Sequence, residues 1–195
     1  MDSAEFVENY TTWTKFEPYE YQISAFTEMI RLNRALCISP TGSGKSLIQY
    51  MLCRFLLQET NHNILITVPT TQLVEQMVKD FADYEIDSDL ISVSANCHKI
   101  YTGKEKTTDR RIVVTTWQSA ILQPKEWFTR FGAYICDEAH QADGKSITMI
   151  IERLADTAEF RFGLTGTLDG TILPNNPLSC ISWHFVPSSV PVNPN

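Results

Sequence analysis

The sequence has no C-x-x-C pair, no basic-then-apolar leader and no apolar run long enough to cross a bilayer. Its cysteines, Cys37, Cys53, Cys97, Cys136 and Cys180, are odd in number, and three fall inside apolar runs. That is the pattern of reduced, buried thiols rather than of a disulfide framework or a zinc site. The acidic start, MDSAEFVENY, is unlike a secretory signal, and runs such as ILITV fall far short of the roughly 20 residues that a membrane helix needs. A cytoplasmic protein with no membrane partner is expected. Positive charge is also scarce, with 16 Lys and Arg against 23 Asp and Glu for a net charge of −7. This excludes a protein dedicated to packaging nucleic acid, but not a motor that touches a strand through a small local surface. The basic-leaning segment HKIYTGKEKTTDRR (98–111) reads either as a solvated loop or as a binding patch. Beyond Gly170 the chain has no charged side chain, and five of the nine prolines lie between Pro174 and Pro194. An irregular tail over 171–195 is expected, or the translated remnant of a truncated or frame-shifted gene.

What the sequence does contain is ordinary globular material. Its 195 residues are 43% hydrophobic and 20% charged, enough for one domain with one core. From Ala35 onward, short β-rich runs alternate with helical stretches. Strands are predicted at 35–39, 64–68, 90–94, 111–115, 133–137 and 160–165. Most are continuously apolar, as strands are when helices cover both faces of a parallel sheet. Helices are predicted over 45–59, 71–84, 116–122 and 145–155, with an irregular connection over 95–110. An earlier helix carries Ile23, Phe26 and Ile30 at helical spacing, with Pro18 suited to its first turn. The alternation implies an α/β, doubly wound, mostly parallel sheet with helices on both faces.

Two stretches carry chemistry. SPTGSGKS (39–46) leaves a strand and opens a helix. In that context Thr41, Gly42, Ser43, Gly44, Lys45 and Ser46 form a phosphate-binding loop: backbone N–H groups and the helix N-terminus surround an anion, Lys45 reaches the β- and γ-phosphates of a nucleotide, and Ser46 ligates Mg2+. The pattern departs from G-x-x-x-x-G-K-[ST] at its first position, where Ser39 replaces Gly. The second stretch, AYICDEAH (133–140), ends a strand in Asp137 and Glu138. A strand-end Asp can hold Mg2+ and the adjacent Glu can activate a water toward the γ-phosphate, although Asp-Glu also suits a helix cap.

With these two motifs in order, the chain resembles the superfamily 2 helicases and translocases, in particular the first RecA-like domain of the DEAH type. YEYQ, VPTTQLVEQ (68–76), TTWQSA (115–120) and LTGTL (164–168) resemble that family's glutamine motif and motifs Ia, Ib and III. GKSLIQ, VPTTQL, QPKEWF and FGLTGTL resemble the UvsW-type recombination helicases of tailed bacteriophages, over residues 15–170.

The resemblance implies a lead-in over 1–15, a RecA-like ATP-binding domain over 16–170, the tail over 171–195, and no second RecA-like domain. It implies ATP and Mg2+ as cofactors and DNA, single-stranded or branched and bound without regard to sequence, as the partner. Gln22 would read adenine, Asp137 and Ser46 would hold the metal, Glu138 would activate water, and His140 would couple the site to the strand. Thr70, Thr71, Thr116 and Gln118 would contact the sugar–phosphate backbone, although the threonines sit equally well as helix caps. Thr165 and Thr167 would link nucleotide state to the strand surface. Trp117, Trp127 and Phe128 suit core packing better than base stacking. A half-site that needs a second RecA-like domain, supplied by another chain, is expected to hydrolyse ATP weakly or not at all alone. The competing readings are an inactive nucleotide- or DNA-binding module, the translocase subunit of a restriction system, and a small-molecule kinase.

Overall fold

The computed structural model describes residues 5, 14–86, 90–101, 108–139, 144–166 and 182–185. In chain order the elements are α1 (Glu20–Leu32), β1 (Arg34–Ile38), α2 (Lys45–Glu59), β2 (Asn63–Val68), α3 (Thr71–Tyr84), β3 (Cys97–Ile100), β4 (Ile112–Thr116), α4 (Trp117–Ile121), a single turn α5 (Lys125–Phe128), β5 (Phe131–Cys136), α6 (Gly144–Arg153), β6 (Phe160–Thr165) and β7 (Ser182–Phe185). The strands form one seven-stranded sheet in the order β3-β4-β2-β5-β6-β1-β7, and every pairing is parallel.

The expected α/β doubly wound sheet is present, for the reason its sequence suggests. All residues of β4 and β5 are buried, as are all but the first of β2, and strands covered on both faces need no polar alternation. α2 packs between α1 and α3, while α4 packs on α6. α2 is a core helix, buried without a break from Leu47 to Leu57. α3 is amphipathic and buries Val74, Met77 and Phe81. α1 starts two residues beyond the Pro18 expected in its first turn: Tyr19 caps it, donating its N–H to Gln22 Oε1 at 2.8 Å, and Asn33 ends it in the left-handed region at φ 60°.

Three expectations fail. The run 90–94 is not a strand, because Glu85 gathers it into a turn: its carboxylate accepts from the Ser94 N–H (2.7 Å), the Ser94 hydroxyl (2.7 Å) and the Ser92 hydroxyl (3.0 Å). Side-chain bonds of this kind compete with a ladder. The strand of that unit is β3, inside the segment expected to be an irregular connection. It pairs with β4, and its His98 and Lys99 suit a sheet edge. Third, residues 182–185 of the expected irregular tail form β7, in register with Ala35–Ile38 of β1.

Candidate nucleotide site

Strand order brings the motifs together. β1, β6 and β5 are neighbours, so their carboxyl ends, which lead into the phosphate loop, Gly166 and Asp137, meet at one rim of the sheet. Ligands of open parallel sheets bind at such rims. The rims of β2 and β4, leading into Thr70 and Thr116, continue the same edge beyond β5.

The loop is held from behind by α1. Gln22, 2% exposed, donates Nε2 to the carbonyls of Ser43 (3.1 Å) and Gly44 (3.3 Å), and Tyr21 donates its hydroxyl to Ser43 O at 2.6 Å. Ser39, at the departing first position, is buried and donates its hydroxyl to that of Ser43. A serine there ties the loop's base to its crest, a role glycine could not fill. Gly44 adopts φ 73°, and a Cβ at this position would collide with the Gln22 amide. Only glycine satisfies both demands. The Gln22 amide is thus committed to the loop and to the α1 cap, and reading adenine would require it to release one of those carbonyls.

Lys45 Nζ lies 3.3 Å from Glu138 Oε1, both side chains being mostly enclosed, and 3.4 Å from Ser39 O. Glu138 reaches Lys45 because its backbone takes φ 45°, a left-handed conformation rare for a residue with a Cβ. The turn is closed by Ala139 N–H to Leu164 O at 3.0 Å and by Gly166 N–H to Glu138 Oε2 at 3.3 Å. A Cβ on Gly166 would sit 3.4 Å from Thr41 Oγ1 and 3.5 Å from Lys45 Nζ. Residues 164–166 therefore contact both the phosphate loop and the acidic turn. Thr165 is buried, and its carbonyl accepts from Ser39 N–H at 2.9 Å. His140 and Thr167 lie outside the described residues.

A cleft of about 340 Å³ opens beside the loop, lined by Gly42, Gly44, Lys45, Ser46, Gln49 and Asp137 and, from α3, by Leu73, Gln76, Met77 and Asp80. Asp137 Oδ1 accepts from Gln49 Nε2 at 2.7 Å, and the Ser46 hydroxyl is hydrogen-bonded to the Tyr84 hydroxyl at 2.7 Å. These residues fit Mg2+: a carboxylate and a hydroxyl, both hard oxygen donors, face one cleft beside a phosphate loop, and Mg2+ is commonly held by one or two such groups plus substrate phosphates. The buried Gln49 Oε1, which has no hydrogen-bond partner among the described residues, marks a place for a further donor such as a metal-bound water. Among the described residues no cluster of three or more His, Cys, Asp or Glu is arranged for a metal. Cys37, Cys53, Cys97 and Cys136 are buried free thiols, with burial raising Cys37 to about 11.

Burial lifts the Asp137 carboxyl from 3.8 to about 6, with the Glu138 charge adding to it and the Gln49 bond and Lys45 opposing. An acid raised on folding favours the folded state below its unfolded pKa and loses that contribution as pH climbs through its folded one. In buffer free of nucleotide and magnesium, the wild type should therefore lose stability relative to Asp137→Asn between about pH 4 and 6, by on the order of 1–3 kcal/mol, with no further change above pH 7. Thermal melts of the two proteins across pH would measure it, and a constant difference would contradict it.

On the neighbouring rims, Thr70, Thr71 and Gln118 are exposed. Thr70 also caps α3, accepting from Leu73 N–H at 3.3 Å. Thr116 is 4% exposed, and its hydroxyl is spent on capping α4, with Ser119 N–H 3.2 Å away. Trp117 and Phe128 are core residues and Trp127 packs on Phe128 and Phe131, as expected of packing rather than stacking.

Tyr84 and Asp80 carry no motif signal, and Gln49 closes the GKSLIQ stretch without a role read for it. Gln49 sits one helical turn after Ser46, a spacing that could have flagged it. Tyr84 is 38 residues from Ser46, and nothing local relates the two.

A phosphate loop beside strand-end carboxylates, on neighbouring strands of a parallel sheet, defines a P-loop ATPase domain of the RecA-like type. The chain belongs to the ResIII family, described as the type III restriction enzyme res subunit, which matches residues 15–170, and it is a superfamily 2 helicase domain of the UvsW type. It is 43% identical over 166 residues to the ATP-dependent DNA helicase uvsW of Enterobacteria phage T4, covering 83% of this chain and 32% of that protein. Against the DNA 3'-5' translocase XPB2 of Sulfurisphaera tokodaii, identity is 26%, over 78% of this chain and 31% of the relative. The crystal structure of the UvsW helicase from bacteriophage T4 superposes with a TM-score of 0.81 at 37% identity, covering 95% of this chain and 68% of that one. The chain thus spans about a third of the length of these curated relatives.

Proposed function

We propose that this chain is the first ATP-binding motor domain of a DNA helicase or translocase, coupling hydrolysis of Mg-ATP to movement of a DNA strand, with branched DNA as the favoured substrate. The observation that carries it is the Lys45–Glu138 contact of 3.3 Å, since it brings the phosphate-binding cation and the candidate base together at the loop, where a γ-phosphate would share the cation. Loop N–H groups from Thr41 to Ser46 and the Lys45 ammonium bind the phosphates. Ser46 and Asp137 would hold Mg2+, which would supply neutralisation of the charge developing on the phosphates. Glu138 orients and deprotonates the attacking water. Gln22 reads adenine once it leaves a loop carbonyl. Thr70, Thr71 and Gln118 contact the strand's phosphates, while Thr116 acts through the α4 cap. Thr165, Thr167 and His140 pass nucleotide state between the two rims. Cytoplasm, the host's if the gene is a phage's, suits the free thiols. Similarity to UvsW supports DNA and the motor role.

These residues form one wall of the cleft. A second RecA-like domain, in the same polypeptide or a partner chain, would add the arginine whose presence is typically worth about 10³–10⁵ in rate. The chain as it stands is therefore expected to bind a Mg-ATP analogue and to hydrolyse ATP slowly, with little stimulation by single-stranded or branched DNA. Rapid DNA-stimulated turnover would overturn the half-site reading, and failure to bind nucleotide would favour an inactive module. The family's description also covers restriction translocases. Binding equally well to forked and to linear duplex DNA would favour that reading over the branched-DNA one.

A further inference from the structure

Each of the two oxygens assigned to the metal is gripped by a side chain to which the sequence reading gives no role. We propose that Gln49 and Tyr84 are positioning residues for Mg2+: Gln49 aims the Asp137 carboxylate and Tyr84 aims the Ser46 hydroxyl. The inference rests on the metal assignment made above and deepens it.

An ionised carboxylate can only accept, so the Gln49 amide nitrogen must face Asp137 Oδ1, at 2.7 Å. Its carbonyl oxygen is thereby turned away. Gln49 is 1% exposed and lines the cleft, and that oxygen has no partner among the described residues. A buried amide oxygen left unmatched keeps its desolvation cost without a compensating bond. A water on the metal would meet this deficit, with Gln49 then bracing one ligand through nitrogen and accepting from a water through oxygen.

At Ser46 the question is which hydroxyl donates. A serine that gives a lone pair to a dication keeps its proton, which becomes more acidic and needs an acceptor. The Tyr84 oxygen stands 2.7 Å away. If the phenol donated instead, it would occupy a serine lone pair that the metal could use. Metal binding therefore selects the direction Ser46 to Tyr84. The Tyr84 ring is fixed for this by edge-to-face packing on Tyr50 (5.6 Å) and Phe16 (5.5 Å). Outer groups of this kind typically change metal affinity by about 10–100-fold when removed.

The test is the affinity of the purified chain for a fluorescent ADP analogue, measured in EDTA and in saturating MgCl2, for wild type, Tyr84→Phe and Gln49→Met. Phenylalanine keeps the packing on Tyr50 and Phe16, and methionine keeps the length of Gln49 without its polar atoms. The magnesium-dependent gain should fall about tenfold or more in each variant, with affinity in EDTA unchanged. That unchanged value also shows that the loop is folded. Variants that keep the full magnesium gain would overturn the proposal, as would a loss that is the same with and without magnesium. A wild type showing no magnesium gain at all would instead refute the metal assignment on which it rests. Should Gln49→Met lose its fold, Tyr84→Phe decides alone.

Discussion

Glu138→Gln is expected to slow ATP hydrolysis by about 10²–10⁴-fold, the usual contribution of a positioned general base, while affinity for Mg-ATP stays the same or tightens. The amide keeps the size of the carboxylate and can still accept from the Gly166 N–H, so the turn at φ 45° has no steric reason to relax. It cannot, however, take a proton from water. Unchanged or tighter binding follows from the ion pair: without nucleotide, Lys45 faces a carboxylate 3.3 Å away, and an incoming γ-phosphate must share that cation with it. Removing the competing charge leaves Lys45 more available. The measurement is single-turnover hydrolysis with protein in excess over labelled ATP, alongside equilibrium binding of a non-hydrolysable analogue. A variant that hydrolyses ATP at the parental rate would remove Glu138 from the chemistry.

Lys45→Ala should do the opposite, weakening nucleotide binding by about 10- to 100-fold, which corresponds to about 1.5–3 kcal/mol for a charge-assisted hydrogen bond. The loss should be larger for a triphosphate analogue than for ADP, because the ammonium lies on the Glu138 side of the loop, where a γ-phosphate would stand. The backbone N–H groups of the loop persist in the variant, so measurable affinity should remain. Binding titrations with both nucleotides check the ordering. An equal loss for both would move Lys45 away from the γ-position, and no loss would refute the phosphate loop itself.

The convergence of the candidate phosphate loop and the acidic turn on one rim was legible in the sequence because both are tied to strand ends. Gly44, Lys45 and Ser46 follow β1 and Asp137 follows β5, and a continuously apolar strand announces its own carboxyl end. Helices α2 and α3 have the predicted bounds, since their apolar spacing continues until chain direction changes at Thr60 and Glu85. Local patterns misled where a competing interaction was remote or weak. LISVS has strand composition, yet Glu85, seven residues from Ser92 and nine from Ser94, claims its polar groups. CHKI has little strand character and is a strand because β4 offers it an edge. Gln49 and Tyr84 meet Asp137 and Ser46 across 88 and 38 residues of chain, and only the packing of α2 against α3 and the sheet makes those meetings. The left-handed turn at Glu138 has no sequence signature either, because Asp-Glu-Ala suits an ordinary helix start as well.

The pairing of β7 with Ala35–Ile38 has a consequence for solubility. β1 carries the phosphate loop, and among the described strands it is flanked by β6 on one side and β7 on the other. Were β7 to detach, a buried run of Ala35, Leu36 and Cys37 would present its free N–H and C=O groups at the sheet's margin, an invitation to edge-to-edge association between copies. The four residues from Ser182 to Phe185 thus shield the strand that feeds the candidate nucleotide loop from becoming an adhesive border.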